Sequence, residues 1–340
     1  MTRLLAVVFF ILMGFLLKGC ESGYQEQEDA EWALALHGGA GDIPEDLPED
    51  VRDDYLEALE ATLAIGEEIL IDGGSAVEAV EYVVRSLEDN PLFNAGRGSV
   101  FTREGTHQLD AAIMDGSTLD AGAVTGLTTV KNPVTLARLV METSDHIFFS
   151  GEGAERFADS TDIERVENDW FSTERRHDQW LQFQQKEDSS TQQDNQTGQS
   201  GFGTVGAVAL DRNGHLASAT STGGMTNKMY GRIGDVPIIG SGTYANSLVA
   251  ISATGSGEEI MRHVSARTIA SYMEFTESSL DEALDFMLDE RLEAGDAGFI
   301  AVDIHGNISM KMNTESMFRA GGNSVEFRQV AIWEDDEENE

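Results

Sequence analysis

Gly203-Thr-Val-Gly-Ala-Val-Ala-Leu-Asp211 is the stretch on which the reading of the whole chain turns. After Thr204 the residues alternate, Val205, Ala207 and Ala209 against Gly206, Val208 and Leu210, which is the two-residue period of a strand. The run ends in Asp211-Arg212-Asn213-Gly214, and Asn-Gly supplies the positive φ values that a tight two-residue turn requires. His215 to Thr220 is therefore expected to return antiparallel. Upstream, Gln184 to Ser200 is rich in Gln, Ser, Asp, Asn and Gly, lacks apolar periodicity and cannot build a core. Two readings follow: a loop before an ordinary strand, or an exposed segment that can be cut just before Thr204.

The N-terminus sets the compartment. Met1-Thr-Arg3 precedes an apolar run from Leu4 to Leu17, then Lys18-Gly19-Cys20. One positive charge, a short apolar core and a small residue before cysteine make an export signal, and the run is too short for a stable membrane span. Leu17-Lys18-Gly19-Cys20 resembles a bacterial lipobox, with Lys18 an unusual residue inside it. Residues 1–20 are thus expected to be a signal of lipoprotein type with Cys20 lipidated; an uncleaved anchor or a plain signal peptide is the alternative. The protein would be exported and held on a membrane, periplasmic or at the cell surface, with Glu21 to Glu31 as an acidic tether. Cys20 is the only cysteine, which excludes an internal disulfide and a cysteine-based metal site.

The net charge of -39 excludes a generic nucleic-acid surface. Five of the 22 basic residues are Lys. Acid excess with scarce Lys suggests a protein kept soluble at high salt, where screening weakens self-repulsion; an ordinary acidic exported protein is the other reading.

Trp32 to Leu36 reads as a strand running into His37-Gly38-Gly39-Ala40-Gly41, with His37 structural and the glycines allowing close approach or a tight turn. Leu56, Leu59, Leu63, Ile65 and Ile69 mark a helix over Val51–Ile71, and Ser75 with Glu78 a capping box for a second over Ala76–Leu87. The glycines of Phe93-Asn94-Ala95-Gly96-Arg97-Gly98 do not make a phosphate loop, because no Lys-Ser/Thr follows. That loop is read as presenting Asn94 to a site. His107–Met114, Ala121–Val130, Ser144–Phe149 and Pro237–Gly242 read as strands, Pro133–Met141 and Glu258–Met273 as helices, Ala297–Asp303 with Ile308–Asn313 as a hairpin, and Ala331–Glu340 as an acidic tail.

The chemistry gathers after Thr204. A threonine freed at an N-terminus can use its own α-amine as base for its hydroxyl. Thr254 and Gly255, at a strand-to-helix turn, could leave N–H groups for an oxyanion. Arg232 can fork two hydrogen bonds to a carboxylate and Asp235 can hold an amine, so together they suit a zwitterionic amino-acid end.

Six motifs in order, His37-Gly-Gly-Ala-Gly41, Phe93-Asn-Ala-Gly96, Gly203 to Asp211, Thr220-Ser-Thr-Gly-Gly-Met-Thr-Asn-Lys228, Gly231-Arg-Ile-Gly-Asp235 and Thr254-Gly-Ser-Gly-Glu258, carry a resemblance over Leu34 to about Ala320. The chain resembles the plant-type L-asparaginase/isoaspartyl peptidase family of N-terminal nucleophile hydrolases. The resemblance implies an α/β fold, a four-layer αββα sandwich, made as a precursor that cuts itself between Gly203 and Thr204. Residues 21–203 and 204–340 would be two subunits forming one catalytic domain, and two such heterodimers would pair. It implies Thr204 as nucleophile, Thr222 as the threonine that orients it, Arg232 and Asp235 as holders of the substrate's α-carboxylate and α-amine, Thr254 and Gly255 as oxyanion donors, Gly257 in the pocket wall and Asn94 beside the nucleophile. It further implies no cofactor for the chemistry, but a structural sodium ion on carbonyl oxygens of Leu87, Glu88, Asn90, Phe93, Ala95 and Arg97. The substrates implied are small: L-asparagine and β-aspartyl dipeptides. A glycosylasparaginase-like amidase and a catalytically silent, lipid-anchored amino-acid-binding protein are the alternatives, and Gly224-Met-Thr-Asn-Lys228 with an intact Thr204, Thr222, Arg232 and Asp235 argues against them.

Overall fold

A computed structural model describes residues 29–189 and 203–334. The signal segment, Cys20 and the stretch 190–202 lie outside the described residues.

The chain opens with β1 (Ala33–Gly41), then helices α1 (Glu49–Ile71) and α2 (Ala76–Asp89). There follow β2 (Leu109–Asp115), β3 (Ala121–Leu127), α3 (Pro133–Thr143), β4 (Phe148–Ser150), α4 (Gly151–Asp159) and α5 (Glu174–Ser189). Past the undescribed stretch come β5 (Val205–Leu210), β6 (Leu216–Thr222), β7 (Thr243–Ala245), β8 (Val249–Gly255), α6 (Gly257–His263), α7 (Ser265–Thr276) and α8 (Leu280–Glu290). The chain closes with β9 (Ala297–Asp303), β10 (Ile308–Met312), β11 (Ser316–Asn323) and β12 (Arg328–Ala331).

Two sheets result, one of eight strands in the order β12-β11-β1-β5-β6-β2-β3-β4 and one of four, β10-β9-β8-β7. They stack face to face, with α1, α2 and α3 on the outside of the larger sheet and α7 and α8 on the outside of the smaller. This is the four-layer αββα sandwich. Strand alternation dictates it. On β1, Leu34 and Leu36 face the helices with Leu59, Leu63 and Val83, whereas Ala33 and Ala35 face the second sheet with Val208, Ile300 and Val302. A third apolar layer, Val249, Ile251 and Phe299 against Ile269 and Leu284, seals the far side. β5 obeys its sequence pattern: Val205, Ala207 and Ala209 join the helix side, Val208 and Leu210 the sheet–sheet side.

Several expectations are corrected. The β5–β6 connection is not a two-residue turn: Leu210 pairs with Leu216, and Asp211 N–H donates to His215 O across the loop at 2.9 Å. Only Gly214 there has positive φ (76°), because the Asp211 carboxylate accepts from the Asn213 and His215 amides and organises the loop itself. The other Asp211 oxygen accepts from Ala76 N–H, so this loop also caps α2. Ser75 accepts from Glu78 N–H as expected, while a complete capping box stands at Ser279 and Glu282. The polar tract is helical from Gln184 to Ser189, as the end of α5. The helix expected over Glu258–Met273 is broken at Val264, whose φ of 47° and ψ of 51° end α6 and start α7. Pro237–Gly242 is not a strand: Ile238 N–H and Gly242 N–H both return to Asp235 O, winding this segment into turns. The tail begins later than expected, since Ala331 lies in β12 and Ile332 is buried. The glycine run of residues 38–41 continues β1, with a register shift between His37 and Gly39.

Candidate active site

Thr204 sits immediately before β5, at the centre of the larger sheet, and is 8% exposed. Thr222 is the last residue of β6, the neighbouring strand. The sheet brings the two hydroxyls together, with Thr204 Oγ1 donating to Thr222 Oγ1 at 3.2 Å. Thr222 Oγ1 in turn donates to the Gly203 carbonyl at 3.1 Å and accepts from Gly224 N–H at 2.9 Å.

Asn94 converges on the same carbonyl from its loop. Its Nδ2 donates to Gly203 O at 2.6 Å and to Gly224 O at 2.7 Å, while its Oδ1 accepts from Val100 N–H at 2.9 Å. Gly203 is hemmed in: a Cβ on Gly39, whose φ is +121°, would stand 2.9 Å from Gly203 Cα. The next residue of β1, Ala40, donates its N–H to Thr254 Oγ1 at 3.2 Å. Neighbouring residues of β1 thus touch the Gly203–Thr204 junction and Thr254. Because that bond uses a Thr254 lone pair, the Thr254 proton remains available to donate. At Gly255 φ is +135° and a Cβ would come 2.1 Å from Asp296 O, so the chain turns there only as glycine.

Arg232, Asp235 and Gly257 come together as expected. A Cβ on Gly257 would lie 2.8 Å from Arg232 Nη2 and 2.9 Å from Asp235 Oδ1, so the missing side chain is what lets both charged groups in. Burial pushes the Asp235 carboxyl up to about 7, against the pull of Arg232, and its Oδ2 has no hydrogen-bond partner. Burial works against the Arg232 charge, but the bonds and charge of Glu258 outweigh it and hold the guanidinium above its ordinary range. Glu258 is a site residue without an assigned role in the sequence reading. It receives Arg232 Nε at 2.9 Å and Nη2 at 2.6 Å. The partners lie 26 residues apart, so no local pattern marks the pair. The Lys228 ammonium is buried, donates to Gln108 O at 2.8 Å and stands 3.9 Å from the Asp110 carboxylate. His37 is completely buried against Thr204.

The loop expected to take sodium curls back on itself. Asn90 N–H donates to Leu87 O, Phe93 N–H to Asn90 O, and Arg97 N–H to Glu88 O at 2.7 Å. Phe93 and Ala95 are buried, and a Cβ on Gly98 would meet Pro91 O at 2.5 Å and Phe93 O at 2.7 Å. Carbonyl oxygens are the donors that a hard cation takes, and those of Leu87, Glu88 and Asn90 already accept from backbone amides here. The Glu88 side chain is engaged by other elements: its Oε1 accepts from Val134 N–H at 3.0 Å and from Ser221 Oγ at 2.7 Å. Among the described residues no three His, Cys, Asp or Glu side chains are grouped to hold a metal, and no helix is long and apolar enough to cross a membrane.

This four-layer fold is that of the N-terminal nucleophile hydrolases. The asparaginase family profile matches residues 30–332, and the chain belongs to that family. It is 48% identical over 299 residues to an isoaspartyl peptidase of Escherichia coli, covering 85% of this chain and 92% of the relative. Against an isoaspartyl peptidase/L-asparaginase of Xenopus laevis it is 44% identical over 288 residues (84% and 90% covered), and against that of Mus musculus 43% over 294 (85% and 87%).

Proposed function

We propose that this hydrolase cuts itself before Thr204 and then hydrolyses β-aspartyl dipeptides and the side-chain amide of L-asparagine, releasing L-aspartate. The observation that carries the reading is the pair of donors, Asn94 Nδ2 and Thr222 Oγ1, on the carbonyl of the residue that precedes Thr204. The relatives' names supply the substrates.

In maturation the Thr204 hydroxyl attacks the Gly203 carbonyl carbon. Asn94 and Thr222 meet the oxygen as charge develops on it, the acyl group moves from nitrogen to oxygen, and water cleaves the ester. Donors set where charge develops are typically worth about 2.7–4 kcal/mol of barrier each. The cut leaves a free α-amine on Thr204, of ordinary pKa near 7.7–8.0. Unprotonated, it takes the hydroxyl proton, a task Thr222 supports by orienting the same oxygen. The hydroxyl oxygen then attacks the substrate's side-chain carbonyl, with Thr254 and Gly255 as donors to the oxyanion. Ammonia or an amino acid leaves with the proton, and water releases aspartate from the acyl-enzyme. Arg232 and Asp235 hold the α-carboxylate and α-ammonium beside Gly257.

The carbonyls of Leu87, Glu88, Asn90, Phe93, Ala95 and Arg97 would hold a sodium ion that stiffens the loop carrying Asn94. Two cleaved chains would remain as a heterodimer and pair further. Cys20, lipidated, would tether the enzyme outside the cytoplasm.

Mass spectrometry of matured protein tests the reading, with a fragment expected to begin at Thr204. A Thr204→Ala variant that is still cut there, or still hydrolyses either substrate, overturns it. Loss of lipid labelling in Cys20→Ser tests the anchor, and unchanged labelling removes it.

A further inference from the structure

A buried polar bridge joins the two sheets beneath Thr204, and the roles assigned above use none of it. His37 and Thr220 lie on β1 and β6, each in register with Gly206 on the strand between them. Ser252, on β8 of the facing sheet, enters the space above Gly206, where a Cβ would stand 2.0 Å from Ser252 Oγ and 2.5 Å from His37 Nε2. His37 Nδ1 is 3.0 Å from Thr204 O, and His37 Nε2 is 2.9 Å from Ser252 Oγ. Ser252 Oγ is 2.8 Å from Thr220 Oγ1, which is 2.8 Å from Thr243 Oγ1. Thr243 in turn lies 3.0 Å from Val236 O, in the segment just after Asp235.

The chemistry at the His37 end fixes the direction of the chain. A carbonyl only accepts, so Nδ1 must carry the proton that bonds Thr204 O. Desolvation lowers the His37 pKa to about 3, so the ring is neutral and Nε2 can only accept. Ser252 must therefore donate to His37, which leaves Ser252 to accept from Thr220; Thr243 has one proton and two acceptors within reach, Thr220 Oγ1 and the Val236 carbonyl. The competing Thr220 contact, to Gly242 O, is longer at 3.3 Å. The Ser252 and Thr220 protons then point toward the nucleophile.

We infer that His37 is a positioning residue for Thr204, fixed in its Nδ1–H tautomer by a one-way hydroxyl chain of Ser252 and Thr220. The inference rests on Thr204 being the nucleophile. Its Nδ1–H holds the carbonyl of the residue whose amine and hydroxyl do the chemistry. A neutral donor does so without placing a positive charge near the α-amine, where it would lower the amine's basicity. The bridge acts on the reacting residue and not on the Arg232 and Asp235 side chains, so it should appear in kcat and not in KM.

The test uses matured protein labelled with nitrogen-15 at histidine, the His37 signals being assigned by their loss in His37→Asn. From about pH 5 to 9, His37 should show a protonated Nδ1 and a bare Nε2 with no titration. In matured Ser252→Ala and Thr220→Val, kcat for a β-aspartyl dipeptide should fall, by about tenfold for Ser252→Ala and less for Thr220→Val, with KM within about twofold. A protonated Nε2, a titrating ring, or an unchanged kcat in matured Ser252→Ala overturns the inference. Thr204→Ala is the control: if it is inactive while Ser252→Ala behaves as wild type, the bridge alone has failed. If Thr204→Ala stays active, the nucleophile assignment has failed and this inference with it.

Discussion

Glu258 holds Arg232 by one edge of the guanidinium, Oε1 at 2.9 Å from Nε and Oε2 at 2.6 Å from Nη2. That pair leaves Nη1 and the second Nη2 proton for another carboxylate. Glu258 therefore aims the fork that the proposed function assigns to the substrate. Glu258→Gln should lower kcat/KM for asparagine and β-aspartyl dipeptides about tenfold, mainly through KM, with cleavage before Thr204 intact. Arg232→Lys, which keeps the charge but loses the planar fork, should cost at least as much. Steady-state kinetics on matured protein decides, and an unchanged KM in both variants removes the assignment.

Asp235 gives a pH prediction. Its free-enzyme pKa of about 7 means that the carboxyl is protonated below that value and cannot pair with an ammonium. Comparison of asparagine with succinamate, which lacks the α-amine, cancels the titration of the nucleophile's own amine. The ratio of their kcat/KM values should fall as pH drops below about 7 and level off above it. A ratio flat from about pH 5 to 8 would show that Asp235 does not hold the amine.

Glu88 gives a prediction for stability. Burial raises its pKa from the ordinary 4.5 to about 8, only partly offset by the bonds from Ser221 and Val134. Between these values the folded chain holds a proton that the unfolded chain has released, so stability from this group is full below about 4.5 and lost as pH rises through 8. Glu88→Gln cannot lose that proton. The melting temperature of Glu88→Gln relative to wild type should therefore climb from about pH 5 to 8, and a constant difference would argue against a protonated Glu88.

The charge of -39 bears on salt. Raising chloride from about 0.1 M to 1 M shortens the Debye length from roughly 10 Å to 3 Å and weakens repulsion among the surface acids. The melting temperature should rise across that series, and a flat or falling curve would reject adaptation to high salt.

The elements legible in the sequence are those in which local pattern and tertiary demand agree. Leu59 and Leu63 repeat on one helix face and are buried there, and β5 alternates between two buried faces. Expectations failed where a distant contact decides the backbone. The Val264 break carries no Gly or Pro to announce it. β11 is absent from the expected strands, and its glycines are there for distant neighbours: Gly321 makes room for Leu34 O and Met310 and Gly322 for Glu67. The site shows the same split. Thr204, Thr222, Asn94, Arg232 and Asp235 stand in recognisable motifs, and the fold brings Asn94 and Thr222 to the Gly203–Thr204 junction and Arg232 and Asp235 to Gly257. Glu258 and the His37–Ser252 bridge depend on partners far apart in sequence.

The strand order has a consequence for a chain nicked before Thr204. In the larger sheet β12 and β11 come from the second part, β1 from the first, β5 and β6 from the second, and β2, β3 and β4 from the first. The two polypeptides of a chain so nicked would be interlaced like fingers, not set side by side. Pulling them apart means unzipping the seams β11–β1, β1–β5 and β6–β2 together and opening the core between them. Such a pair has no dissociated yet folded state to visit, so its halves would stay matched through dilution and would not trade partners with other copies.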